Sequence, residues 1–135
     1  MPEAEIAYYL YGIESVVNTF TTVCYIISAL FTIYYIVLMW LLFVKAGEAG
    51  WKALIPGYNL WVLYSLVYNA GWKMFLLFVP FYGIAVAIMT MIRMAQAYGH
   101  GIGMGLLNLF VPPVGMSILA FSKNTEYIGP INRVL

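Results

Sequence analysis

The residues able to do acid–base, nucleophilic or metal chemistry are few and scattered. The chain has one histidine (His100), one cysteine (Cys24), five glutamates and no aspartate. Glu3, Glu5, Glu14, Glu48 and Glu126 are all expected in flanks or loops. No acid pair, nucleophile–base couple or intramembrane proton relay is spelled out. A metal needs several converging ligands, which one histidine and one cysteine do not supply. Gly99 to Gly105 resembles a dinucleotide loop only in its glycines, because no strand is predicted before it and no acid follows to hold a ribose. The expectation is a non-enzymatic protein with no catalytic residue, metal or cofactor.

What must position so few groups is set by composition. Of 135 residues, 64% are apolar and 8% charged, with a mean hydropathy of +0.92. A soluble domain is about a quarter charged, so this chain lacks the polar surface to coat a globule in water. Disorder is excluded by the same apolar content. A net charge of +1 without a basic tract gives no footprint for nucleic acid. The first Lys or Arg is Lys45, so no signal-peptide n-region precedes the first apolar run, which is expected to remain as a helix. The chain reads as an all-α integral membrane protein.

Ser15 to Val44 is uncharged over 30 residues, roughly 45 Å of helix against a hydrocarbon core of roughly 30 Å. Trp72 to Tyr98 and Gly103 to Phe121 are further apolar runs. Ala53 to Gly71 is also uncharged, but contains Pro56, Gly57 and two asparagines. If that segment crosses, Lys and Arg divide evenly between the two sides. If it lies along the interface or re-enters, Lys45, Lys52, Lys73, Lys123 and Arg133 share the cytoplasmic side and only Arg93 is outside, which fits the positive-inside bias. Three transmembrane helices plus one interfacial or re-entrant helix are therefore expected, with four spans as the alternative. The boundaries are an extracytoplasmic flank 1–15, span 16–44, cytoplasmic loop and interfacial helix 45–71, spans 72–98 and 103–121, and cytoplasmic tail 122–135. Pro56, Pro80, Pro112 and Pro113 are read as kinks. Lys45, Trp51, Lys52, Tyr58, Trp61, Tyr68 and Trp72 are read as interfacial anchors, with Tyr64 or Ser65 filling the helical spacing between Trp61 and Tyr68.

The loop KAGEAGWKALIPGYN, Lys45 to Asn59, and the tail Tyr127-Ile-Gly-Pro130 carry a resemblance. The pattern KAGxxGWxAxIPxYN is similar to that of an uncharacterised family of small bacterial membrane proteins, over roughly Leu41 to Pro130. The resemblance implies a bacterial membrane location, taken as the inner membrane, and no activity. A similar region occurs in some signal peptidase chains, but no serine–lysine dyad on a soluble β-rich domain is legible here. Within the loop, Gly47 and Gly50 are read as a tight helix exit. Asn59 is read as a partner for a freed carbonyl.

Asn18, Thr21, Tyr25, Ser28, Thr32 and Tyr35 follow spacings of 3, 4, 3, 4 and 3, one seam of hydroxyls and an amide along a helix. Ile26, Ile27, Leu30, Ile33, Val37 and Leu38 are left to face lipid. Small and hydrogen-bonding residues mark helix contacts in a bilayer, so the seam reads as a packing face. A water-lined path through a homo-oligomeric channel is the alternative. Gly83, Ala87, Thr90, Met94 and Ala97 form a small-residue face, and Gly99/Gly103 and Gly101/Gly105 form small-xxx-small pairs. Arg93, Gln96 and His100 read either as a headgroup-reaching end of span 72–98 or as a polar mouth.

Gly71–Gly83 aligns with Gly103–Gly115 at an offset of 32, sharing Leu-Phe-Val-Pro and the flanking glycines. Either an inverted duplication or a shared need for kinks would produce that echo. The expected function is a packing or accessory subunit of a membrane assembly, with the lipid bilayer, itself or other membrane subunits as partners. The N-terminus is expected outside and the C-terminus in the cytoplasm.

Overall fold

The computed structural model describes residues 2–130. Arg133 and the end of the 122–135 tail lie outside the described residues. Every regular element among them is helical: α1 (Glu3–Lys45), the 3-10 helix η1 (Gly50–Leu54), α2 (Tyr58–Tyr68), the 3-10 helix η2 (Gly71–Phe78), α3 (Tyr82–Ala97), α4 (Ile102–Phe110) and α5 (Pro112–Phe121). The chain divides into two compact units at Tyr34/Tyr35.

The first unit is the part of α1 up to Tyr34. No proline and only Gly12 interrupts it, and Glu3 and Glu5 in the first turn complement the helix dipole. Residues 2–34 are all exposed. Three threonines return their hydroxyls to their own helix: Thr19 to the Ser15 carbonyl, Thr22 to Asn18 and Thr32 to Ser28, at 2.8–2.9 Å. With 43 residues, α1 measures about 65 Å. Among the described residues it is the one helix long and apolar enough to cross a membrane.

The second unit, from Tyr35 onward, packs short helices around the end of α1. Its core includes Leu38, Leu42, Phe43, Val67, Met94 and Leu119. Leu38, expected to face lipid, is fully buried there. The reason is that α1 changes surroundings along its length, and its last turns lie within a packed body. α1 ends where Gly47 takes φ +81, with Gly47 N–H donating to the Val44 carbonyl and Glu48 N–H to Phe43. Those two bonds make a Schellman cap, so the Gly47 reading holds. Gly50 serves differently: a Cβ there would strike the Trp40 indole. The Asn59 reading also holds, its amide donating to the Ala53 carbonyl at 3.3 Å.

The segments 72–98 and 103–121 are not single kinked helices. Each is two helices broken at a proline. Pro80 lies between η2 and α3, and Pro112 opens α5 directly after α4. A proline lacks the N–H that would continue the ladder, and here the chain reverses instead of bending. Phe81 closes the first reversal at φ +62, with Tyr82 N–H donating to the Pro80 carbonyl at 2.7 Å. That i→i+2 bond is a γ-turn, a strained conformation. In both breaks the glycine three residues beyond the proline settles on the preceding helix. A Cβ on Gly83 would strike the Leu77 carbonyl, and one on Gly115 would sit 2.6 Å from Asn108 Cα. The two copies of Phe-Val-Pro thus share the glycine contact, though their turns differ: Phe81 at φ +62 follows Pro80, whereas Pro112 itself opens α5 after Val111 at φ −133.

Side chain-to-backbone ties close the body. Tyr98 donates to the Leu42 carbonyl at 2.6 Å and Tyr127 to Leu66. Lys45 donates to the last carbonyls of α5, Leu119 and Ser122, at 2.7 Å each. That lysine, expected as a headgroup anchor, is instead a cap on α5.

Candidate functional site

The densest polar cluster lies where α2, η2 and α3 meet. α2 stops at Tyr68 because Asn69 enters the left-handed region at φ 55, its N–H bonded to the Ser65 carbonyl. Ala70 is extended, and Gly71 then lets the Trp61 ring approach to 2.6 Å from where a Cβ would stand. η2 therefore starts beside α2 and carries Lys73 back toward it.

Tyr64 and Tyr68, one turn apart on α2, stack with ring centroids 5.5 Å apart. Thr90 on α3 sits between their hydroxyls, 3.1 Å from Tyr64 and 3.0 Å from Tyr68, and 2.7 Å from the Val86 carbonyl. One hydroxyl proton cannot serve three bonds. The threonine hydroxyl is directed at the Val86 carbonyl and the Tyr64 oxygen, which leaves its own oxygen to accept from Tyr68. Tyr64 is 2% exposed and Thr90 3%. The reading that lets Tyr64 fill the interfacial spacing is thereby corrected: its ring and hydroxyl are used inside the body. Thr90, read as a small packing residue, is also the hub of this network.

One turn beyond Thr90, the Arg93 guanidinium lies 5.1 Å from the centroid of the Tyr68 ring. The Lys73 ammonium lies 5.1 Å from the same centroid. Lys73 and Arg93, expected at opposite ends of the kinked span 72–98, instead meet at one ring. The Val79–Phe81 reversal returns α3 along η2, so the two cations stand within about 10 Å of each other. Both are half-buried. Among the described residues the one ion pair is Lys52 with Glu48, so neither cation has a carboxylate partner.

The other expected site residues are distributed as follows. Arg93 and His100 find separate partners: His100 Nε2 lies 2.7 Å from Thr125 Oγ1, and half-buried Gln96 stands between them in sequence. Gly83, Thr90, Met94 and Ala97 are buried and Ala87 half-buried, so the small face of α3 does point inward. Of the glycine run, Gly105 makes the close contact, 2.8 Å from Ile92 Cα to a Cβ placed there. Gly99 supplies a turn at φ +81, and Gly101 and Gly103 stand in open space. Trp51, Tyr58, Trp61 and Trp72 are exposed, with Trp51 stacked on Tyr58 at 6.4 Å. Asn18, Thr21, Tyr25, Ser28 and Thr32 are exposed, whereas Tyr35 is half-buried against the core of the second unit.

Outside the apolar segments, two groups have shifted protonation. Lys52 is raised above the ordinary lysine value, chiefly by its hydrogen bond to the Glu48 carboxylate. Burial, followed by the charge of Glu48, raises Tyr127 above the ordinary tyrosine value.

Sequence reasoning missed Asn108. It is fully buried, its amide donates to the Met91 carbonyl at 3.3 Å, and its Oδ1 has no partner. A polar residue within the apolar run 103–121 was the available signal.

Among the described residues, fold and site together define an all-helical protein with one helix long and apolar enough to cross a membrane. Residues 51–130 match a family of unknown function (DUF5684), and the chain belongs to that family. The matched region holds both fold-backs and the whole Tyr64–Tyr68–Thr90–Lys73–Arg93 cluster, and leaves out α1. No curated protein and no solved structure matches the chain.

Proposed function

We propose that this chain is a non-enzymatic accessory subunit of a membrane assembly, in which α1 crosses the bilayer and packs by its hydroxyl seam against another membrane helix. One observation carries the reading. Asn18, Thr21, Tyr25, Ser28 and Thr32 are exposed on a stretch of α1 where every residue from 2 to 34 is exposed. Lipid satisfies the apolar remainder of that surface but offers nothing to an amide or a phenol, which need a protein partner.

The second unit sits in one leaflet on the cytoplasmic side. α3, with 16 residues, measures about 24 Å, and α4 and α5 are shorter still, against a core of roughly 30 Å. The tips of the two fold-backs are apolar and bare, with Phe78 79%, Phe81 90% and Phe110 78% exposed, which suits re-entrant hairpins dipping into acyl chains. With one crossing, Lys45, Lys52, Lys73, Arg93 and Lys123 all share one side and Glu3, Glu5 and Glu14 the other. That distribution agrees with the positive-inside bias more fully than three crossings do.

Native mass spectrometry of the gently solubilised full chain tests the reading. The expected result is a complex, with itself or a larger partner, that is lost in a Thr21→Leu/Ser28→Leu double variant. An unchanged mass in that variant, or a lone chain in the wild type, refutes it.

A further inference from the structure

We propose that Lys73 and Arg93, held by the ring of Tyr68, form a binding site for a phosphate group. Three observations converge. First, two half-buried cations stand on a single neutral ring with no carboxylate partner among the described residues. A ring quadrupole attracts each cation but cancels neither charge. The positive potential of the pair is therefore uncompensated, and an anion lying between the two gains from both.

Second, the positions are fixed from below. Tyr68 is held by its hydroxyl on Thr90 and by stacking on Tyr64, and Thr90 is itself bonded to Val86. The ring on which both cations rest is thus a rigid part of the body. The chemistry is divided suitably between the two. Arg93 offers a planar fork matched to two phosphate oxygens, and Lys73 a point charge on a flexible stem that closes the remaining gap.

Third, the surface beside the pair is apolar and bare. Trp72 is 56% exposed and Phe75 55%. A phosphate carrying acyl chains, the headgroup of an anionic phospholipid, meets both features, as does free inorganic phosphate at the cations alone. The site does not involve the seam of α1, so variants there leave it intact and the two readings fail separately.

The test uses the full chain and an amine-reactive acylating reagent, reading the rate at Lys73 against Lys123 by mass spectrometry. One arm is nanodiscs of phosphatidylcholine with and without phosphatidic acid. The other is detergent-solubilised protein with and without inorganic phosphate. Selective slowing at Lys73 by phosphatidic acid alone supports a lipid headgroup, and slowing by inorganic phosphate as well supports a free phosphate. Arg93→Gln lowers the apparent affinity about tenfold, the loss of a charge-assisted contact, while Arg93→Lys, which keeps the charge but not the fork, recovers only part of it. Equal slowing at Lys73 and Lys123, no slowing in either arm, or protection that survives in folded Arg93→Gln overturns the proposal. If Arg93→Gln does not fold, the wild-type comparison of the two lysines decides alone.

Discussion

Gly115 is a position where one methyl group separates two outcomes. It is the fourth residue of α5, inside a helix, where alanine is intrinsically better than glycine by about 1 kcal/mol. A Cβ there would lie 2.6 Å from Asn108 Cα and 2.9 Å from its nitrogen. Carbon atoms in good contact sit about 3.5–4.0 Å apart, so the overlap is about 1 Å. The obstacle is backbone, which cannot rotate aside, so α5 must lift from α4, at about 2–3 kcal/mol. Gly115→Ala is therefore expected to destabilise the body by about 1–2 kcal/mol net. Asn108→Ala does not rescue it, because the nearest atom is Cα. Gly103 is the internal control: it lies in α4 with nothing within 4 Å of its Cβ position. Gly103→Ala is expected to stabilise by about 0.5 kcal/mol. Both are measured by reversible unfolding in mixed micelles, followed by circular dichroism. A Gly115→Ala protein as stable as the wild type, or a Gly103→Ala protein equally damaged, would refute the fold-back packing.

Thr90→Val removes the hydrogen-bond partner of the buried Tyr64 hydroxyl and of the half-buried Tyr68 hydroxyl, and about 2–3 kcal/mol is expected to be lost in the same assay. Thr90→Ser should retain most of the wild-type stability. Lys45→Met removes two bonds to the closing carbonyls of α5 and should cost about 1–2 kcal/mol, with faster amide exchange after Ser122 as the local sign. Tyr127 holds its proton more tightly folded than unfolded, so its contribution is present below the unfolded tyrosine value and fades as pH rises through the folded one. Stability should decline above about pH 10, less steeply in Tyr127→Phe. Lys52 adds a decline of the same sign, which Tyr127→Phe leaves in place.

The apolar run of the first helix and the glycine exit at Gly47 were legible because composition and turn chemistry act locally, whereas its start at Glu3, within the expected flank 1–15, was not. The match from Trp51 to Pro130 likewise falls within the stretch from Leu41 to Pro130 over which the Lys45–Asn59 loop and the Tyr127–Pro130 tail carried the resemblance. The reversal at Val79–Phe81 was not legible. A proline in an apolar run signals an interruption of the ladder, not its angle, and Phe81 at positive φ has no sequence signature. Everything that depends on that angle was hidden with it, above all the meeting of Lys73 and Arg93, 20 positions apart, on one ring. Tyr64 was misassigned because its spacing matched neighbours that do stay exposed, and only the position of Thr90 distinguishes it.

Since residues 2–33 are all exposed, unfolding the body registers few of the substitutions made there. That portion keeps its shape through its own peptide bonding, which acyl chains strengthen because an opened peptide group in oil finds no replacement for its lost partner. Deuterium uptake along residues 2–34 consequently reports whether water or acyl chains surround this stretch rather than how the body is folded.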